Sequence, residues 1–327
     1  MKKIFCAVLA LAAMASCSKE YIVAEDKQAI GFGEVFVENS TRATDLTYTD
    51  TNKVTAFKVW GTVKGTHDNS EAVYIFNGSE VKNRNTDGTI TVGYDDVWFC
   101  DNIQYWVPNA NYNFIAVVDG ELDPTNNTIA YTVSSQSDLL LDTTTASVAN
   151  DGTVTGEKTN NGLVAFSFNH LLSKAYFTFK TNAAFATDAY TYEISAIKFN
   201  NAYTNGTYNV GTKAWAGEGD AALSFGNTVT LAPSKSGAVS TTSEFVKVFI
   251  PQQDVTVSFT VTIKYNGTAV SVKNYSFPVF PSTGAKAMKS VAGHSYNFVA
   301  EFKENAQINF TVKEVVDWVV DPNDITL

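Results

Sequence analysis

Seven Asn-Gly or Asp-Gly pairs punctuate this chain of 327 residues. They begin at Asn77, Asp87, Asp119, Asp151, Asn161, Asn205 and Asn266. Such pairs suit type I′ hairpin turns, whose two central residues both need positive φ. Between them lie short runs in which apolar residues recur at every second position. Val255, Val257, Phe259, Val261 and Ile263 form one run, Tyr296, Phe298, Ala300 and Phe302 a second, and Ile308, Phe310 and Val312 a third. Period two with β-branched and aromatic residues marks half-buried strands. No window carries a sustained 3.6-residue period with caps. The predicted class is all-β, built as β-sandwiches.

The chain is apolar enough to fold, with 45% hydrophobic and only 17% charged residues. Its length suggests two domains. The polar, turn-rich stretch 142–162 places a boundary near residue 155, giving domains over 43–155 and 156–327. A formal net charge of −10 without basic runs excludes nucleic acid as a partner.

The N-terminus reads as an address. Lys2 and Lys3 precede an apolar run from Ile4 to Ala13, too short to span a bilayer and suited to a signal peptide over 1–16. Met14-Ala15-Ser16-Cys17 resembles the bacterial lipobox, in which the Cys is lipidated and the signal is cut ahead of it. Lipid on Cys17 would hold the protein in the outer membrane. Cys6 leaves with the signal, so Cys100 is left alone. Beside Trp98 and Phe99 it suits a buried small hydrophobe better than a nucleophile.

Three segments carry a family resemblance. Leu163 to Phe179 contains Phe168, His170, Leu172, Ser173 and Lys174 in an F-x-H-x-L-S-K arrangement, preceded by Ser137-Asp138-Leu139-Leu140-Leu141. Near the C-terminus, Gly293-His-Ser-Tyr296-Asn-Phe298 is followed by Ile308-Asn-Phe310 and Trp318. At the start, Ile30-Gly-Phe-Gly33 and Asn39-Ser-Thr-Arg42-Ala43 stand in order. Together these resemble the fimbrillin superfamily of Bacteroidetes, whose members supply type V pili. Ser18-Lys19-Glu20 is similar to the short charged signal that sends lipoproteins of those bacteria to the cell surface.

The resemblance implies two transthyretin-like β-sandwich domains in tandem and no enzymatic activity. It implies that residues 17–42 comprise a lipid anchor, a first strand and a processing loop. An Arg-specific protease would cut between Arg42 and Ala43, freeing a groove that accepts a strand from another fimbrial subunit. The exchanged strand would carry Ile30, Phe32 and Phe36 on one face, interrupted by Glu34, in a strand whose pattern suits a sandwich edge. Its loss would leave unpaired backbone beside an exposed apolar groove, and a foreign strand would repair both. Only nine residues follow Trp318, so the donor would come from Gln307 to Leu327, with Ile308, Phe310 and Val312 or Ile325 and Leu327 as its apolar positions. Asp142-Thr143-Thr144 resembles the Asp-Ser/Thr-X acceptor for O-glycosylation, with Thr143 carrying the glycan on a linker.

Catalytic chemistry is not evident. No H-E-x-x-H, C-x-x-C, G-x-S-x-G or phosphate-binding glycine loop is present, and no cofactor or metal is expected. His67 and His294 read as turn residues, and His170 as a structural histidine at a strand end. Asp119, Glu121 and Asp123 have a calcium-loop spacing, but Pro124 stands where such a loop needs Gly. Trp98, Phe99, Tyr105 and Trp106 could stack on a sugar or host receptor. That leaves a non-polymerising surface glycan-binding lipoprotein as the alternative to a fimbrial subunit.

Overall fold

The alternating runs become strands in the computed structural model, which describes residues 28–37, 54–67, 71–83, 98–181, 189–226, 228–232, 239–241, 247–284, 287–303 and 308–315. The first half contains β1 (Gly31–Val37), β2 (Ala56–Gly65), β3 (Val73–Asn83), β4 (Trp98–Cys100), β5 (Ala110–Val118), β6 (Leu122–Asp123), β7 (Thr128–Thr132), β8 (Leu140–Val148), β9 (Val154–Thr155), β10 (Thr159–Asn160) and β11 (Leu163–His170). The second contains β12 (Ser173–Thr181), β13 (Tyr190–Ala202), β14 (Asn205–Asn209), β15 (Ala214–Glu218), β16 (Ala221–Ser224), β17 (Val229–Leu231), β18 (Val239–Thr241), β19 (Lys247–Phe249), β20 (Val255–Tyr265), β21 (Thr268–Val279), β22 (Ser295–Phe302) and β23 (Ile308–Val315). The predicted all-β class holds: the described residues include one 3-10 turn, Val133–Ser135, and no α-helix. Period two is visible in burial, as in β20, where Val255, Val257, Phe259, Val261 and Ile263 are buried and the residues between them are not.

The first half is a nine-stranded sheet ordered β10-β11-β1-β4-β3-β2-β5-β8-β9. β11 also pairs with β8 through Asn169–Leu141 and His170–Leu140, so the sheet closes on itself. Its core packs Phe32, Phe57, Phe76, Phe114, Phe166 and Phe168. The second half is a sandwich of two sheets, β18-β12-β22-β23 with β19 on β12, and β16-β13-β20-β21 with β17 on β13. Phe177, Phe179, Phe199, Phe259, Phe298 and Phe302 fill it. Each half fixes the start of a core strand in the same way. Val107 donates its N–H to the Tyr112 hydroxyl at 2.7 Å, and Val291 donates to the Tyr296 hydroxyl at 2.8 Å.

A fourth sheet, β15-β14-β7-β6, joins the halves. β7 and β14 pair antiparallel from Asn205–Thr132 to Asn209–Thr128. A core of its own, including Trp60, Leu139, Leu171, Leu172, Tyr208 and Ile250, lies at this junction. Burying each such side chain contributes about 1.5–3 kcal/mol. The stretch 142–162 is therefore no free linker: it supplies most of β8 and all of β9 and β10. The chain passes between halves at Leu171 and Leu172 rather than near 155. A crossing buried between two cores is apolar and carries no polar signature.

Candidate functional site

The site of interest is the seat of β1. β1 is not the edge strand its pattern suggests, for it lies between β11 and β4. It runs parallel to β11, with Gly31 opposite Leu163, Phe32 opposite Val164, Val35 opposite Phe166, Phe36 opposite Ser167 and Val37 opposite Phe168. On its other side Phe32 pairs with Trp98. Just ahead of the strand, Ile30 N donates to Gln104 O at 2.8 Å and Trp106 N to Gln28 O at 3.0 Å. Trp106 Nε1 then donates to Gly162 O at 3.0 Å, and Gln28 Nε2 to Asn161 O at 2.9 Å.

Phe32 is the anchor. Its ring centroid lies 5.6 Å from Phe76 and 6.0 Å from both Phe57 and Phe166. Ile30 is buried in the same cluster. The Ile30-Gly-Phe-Gly33 pattern has a steric cause. A Cβ on Gly31 would meet Leu163 Cδ2 at 2.6 Å, and one on Gly33 would meet Leu163 Cβ at 3.2 Å. Glycine on one side of β1 lets Leu163 approach, while Ile30 and Phe32 fill the core.

Beyond Phe32 the register of β1 changes. A register shift between Phe32 and Val35 inserts a bulge, after which Val35 and Val37 pack against the core cluster. Phe36 stands opposite Ser167 in the backbone register, and its side chain lies outside the described residues. The bulge interrupts the strict alternation that Ile30 and Phe32 begin.

The opposite side of β11 is held differently. β10 pairs with Leu163 and Val164, and β8 pairs with Asn169 and His170. Between these two stretches, Ala165 N donates to Lys158 O at 2.8 Å and Ser167 N donates to Asp142 Oδ2 at 2.7 Å. Lys158 Nζ in turn donates to Asp142 Oδ1 at 2.8 Å and Oδ2 at 2.7 Å. Asp142 is buried, and its carboxylate fills the place of a missing strand residue. Sequence reading missed both Asp142 and Lys158 as partners. The one signal was an Asp at the head of a run of three Thr.

Two of the three segments that carry the family resemblance meet at the crossing between halves. His170 Nδ1 lies 3.0 Å from the Asp138 carboxylate. Leu171 N donates to Leu139 O at 3.0 Å, and Trp215 Nε1 donates to Leu171 O at 2.8 Å. Gly293 N donates to Leu172 O at 2.8 Å, Ser173 Oγ to Val291 O at 2.8 Å, and Lys174 N to His294 O at 2.9 Å. Burial pushes the Lys174 ammonium down to about 8, against the opposing pull of Asp138. His170 is thus a structural histidine beside a carboxylate.

Other sequence candidates fall apart in space or outside view. Cys17, Arg42, Ala43 and Trp318 lie outside the described residues. Thr143 is exposed on β8, opposite Ile115, rather than on a linker. Trp98 and Trp106 are buried, so of the aromatic strip they offer no stacking face, whereas Tyr105 is exposed. Burial pushes the half-buried Cys100 thiol up, away from nucleophilic use. Asp123 accepts from Thr125 N, Asn126 N and Asn126 Nδ2, and Glu121 pairs with Lys58, so these carboxylates serve local turns and a surface ion pair. Among the described residues no group of His, Cys, Asp and Glu could hold a metal ion, and no helix is long and apolar enough to cross a membrane.

The family model described as fimbrillin-like matches residues 41–318. A solved fimbrial protein from Bacteroides vulgatus superposes with a TM-score of 0.54 at 12% identity, covering 90% of this chain and 100% of the other. A candidate cell adhesion protein from Bacteroides uniformis gives 0.48 at 17% identity, covering 90% and 98%. A fimbrial assembly protein from Parabacteroides distasonis gives 0.38 at 13% identity, covering 89% and 99%. The Bacteroides vulgatus likeness is one of fold. No curated protein matches the sequence.

Proposed function

As a member of the fimbrillin-like family, this chain is a non-enzymatic structural subunit of a cell-surface fimbrium, and we propose that it is exported as a lipoprotein and joined to its neighbours by exchange of its first strand. The seat of β1 carries this reading. A strand flanked by β11 and β4, with Ile30 and Phe32 in an aromatic core, leaves two rows of unpaired backbone and an apolar slot when it goes. Both are costly in water, and a strand of similar pattern from another subunit restores them.

Arg42 stands five residues beyond Val37, the last residue of β1. Cutting there separates Cys17 to Arg42, with its lipid, from Ala43 onward. Until then Ile30 and Phe32, at about 1.5–3 kcal/mol each, keep the strand in place. Exchange therefore requires both a cut and a competing strand. β23 pairs with β22 along its whole length, and Phe310 stacks on Phe277 at 4.2 Å. Ile308, Phe310 and Val312 are thus in use within their own half, which favours a donor drawn from residues after Val315, with Ile325 and Leu327 as its apolar positions. Thr143, exposed between the buried Asp142 and Thr144, is accessible for the proposed O-glycan. The test is assembly of purified precursor with an Arg-specific protease, watched by electron microscopy. Wild type should yield filaments and a new N-terminus at Ala43, and Arg42→Ala should remain monomeric. Filaments from Arg42→Ala at the wild-type rate would overturn gating by cleavage.

A further inference from the structure

We infer that Asp142 and Lys158 form a latch that holds β11 in register when β1 is out of its seat. The inference rests on the proposed exchange of β1, and it concerns the wall of the slot rather than the strand that leaves it.

β11 has two flanks. On one, β1 runs beside it from Leu163 to Phe168. On the other, backbone pairing exists only at the two ends, with β10 at Leu163 and Val164 and with β8 at Asn169 and His170. The middle of β11 is where Val35 and Val37 meet Phe166 and Phe168, so its position decides whether an incoming strand finds its pockets. That middle is held from behind by two links, Ala165 N to Lys158 O and Ser167 N to Asp142 Oδ2. Lys158 belongs to both: its carbonyl takes the first, and its ammonium fixes the carboxylate that takes the second.

A carboxylate here does what backbone cannot. β8 and β11 diverge, so no carbonyl of β8 takes the Ser167 N–H. The Asp142 side chain spans the gap, and a charge-assisted bond is stronger than a neutral one. The carboxylate is buried and its ion pair has two hydrogen bonds, so both partners are ordered. With β1 seated, β11 is fixed from both flanks and the latch is redundant. With β1 gone, the latch is what keeps Ser167 and its neighbours extended. A merely general stabilising role would instead weaken the whole first half, whether or not β1 is seated.

Hydrogen exchange on the full chain separates these. Phe32→Ala loosens β1, Asp142→Ala opens the latch, and the double variant does both. Latching predicts that Asp142→Ala alone exposes Ser167 N, whose acceptor it removes, but leaves Ala165 N, whose acceptor is the Lys158 carbonyl, close to wild-type protection. It predicts that Phe32→Ala exposes the amides of β1 and those of β11 that face it, while Ala165 N stays protected. In the double variant protection of Ala165 N should fall by at least about tenfold while β2 and β5 keep theirs. Lys158→Met should reproduce Asp142→Ala. If Phe32→Ala or Asp142→Ala does not fold, Val35→Ala and Asp142→Asn take their places. Equal loss across β2, β5 and β11 in Asp142→Ala alone, or no added loss in the double variant, would overturn the latch. Failure of the wild-type chain to exchange β1 at all would overturn the assembly reading instead, through a different measurement.

Discussion

Val248 N donates to Gln136 Oε1 at 3.0 Å, and Gln136 Nε2 donates back to Val248 O at 3.1 Å. One carboxamide thus pairs with the middle of β19 as a strand residue would, and it ties the first half to the second. The same Nε2 donates to Val133 O at 2.7 Å, closing the 3-10 turn, and Gln136 holds a positive φ of 52° to reach both.

Gln136→Glu should therefore be worse than its size suggests. A carboxylate accepts from Val248 N but donates to neither carbonyl; Val133 O keeps the backbone N–H of residue 136, whereas the part-buried Val248 O is left unpaired. The expected loss is about 1–3 kcal/mol. It should appear as a lower thermal midpoint for the whole chain, because the fourth sheet and its core couple the halves. Two separated transitions, with only one shifted, would contradict that coupling.

Gly31→Ala should destabilise the seat of β1, since its Cβ would stand 2.6 Å from Leu163 Cδ2. Leu163→Ala removes that obstacle, so the double variant should recover most of the loss. The single change should cost about 0.5–1.5 kcal/mol, because Leu163 is exposed and its Cδ2 has to turn off its present rotamer. A double-mutant cycle by chemical denaturation reads the coupling, and additive losses would sink the steric account of the glycine.

Much of the fold was legible, for physical reasons that differ by position. Asn161-Gly162 and Asn266-Gly267 take positive φ at both residues, 50° and 78° in one and 44° and 79° in the other, as hairpin turns require. Asn205-Gly206 looks the same in sequence yet lies inside β14. There a Cβ on Gly206 would meet Ile250 Cδ1 at 2.9 Å and Ala216 O at 3.0 Å, so close approach and not a turn selects the glycine. Ile30 and Phe32 were readable as the anchoring face of β1. Val35 and Val37 were not, because period two has no place for a bulge. Asp142 looked like part of a modification motif, since its partners lie 16 and 25 residues away and only folding brings them together.

Stability should rise between about pH 8 and 10.5 through Lys174. Its folded pKa is lowered from 10.5 to about 8, chiefly by burial. In that window the unfolded chain holds the proton and the folded chain does not, so raising pH favours the folded state. The contribution is at most about 3 kcal/mol. Urea titrations across this range should show a slope that Lys174→Met removes. An identical slope in the variant would assign it to other groups.

Ser295→Ala should leave the protein as stable or slightly more so. Ser295 is fully buried, and its Oγ has no hydrogen-bond partner among the described residues. An unsatisfied buried hydroxyl costs about 1–3 kcal/mol, which its removal relieves. A loss above that scale in a thermal melt would mean that the hydroxyl has a partner.

Replaceability of β1 is tested most directly by strand uptake. The purified chain, cut after Arg42, is incubated with an excess of a fluorescent peptide spanning residues 28–42, then separated from free peptide and weighed by native mass spectrometry. Exchange predicts that one labelled strand enters each cut chain as one unlabelled fragment leaves, and that the uncut and Arg42→Ala chains take up none. Equal uptake by uncut chain, or a cut chain that keeps its own fragment and excludes the label throughout, would contradict strand exchange as the basis of assembly.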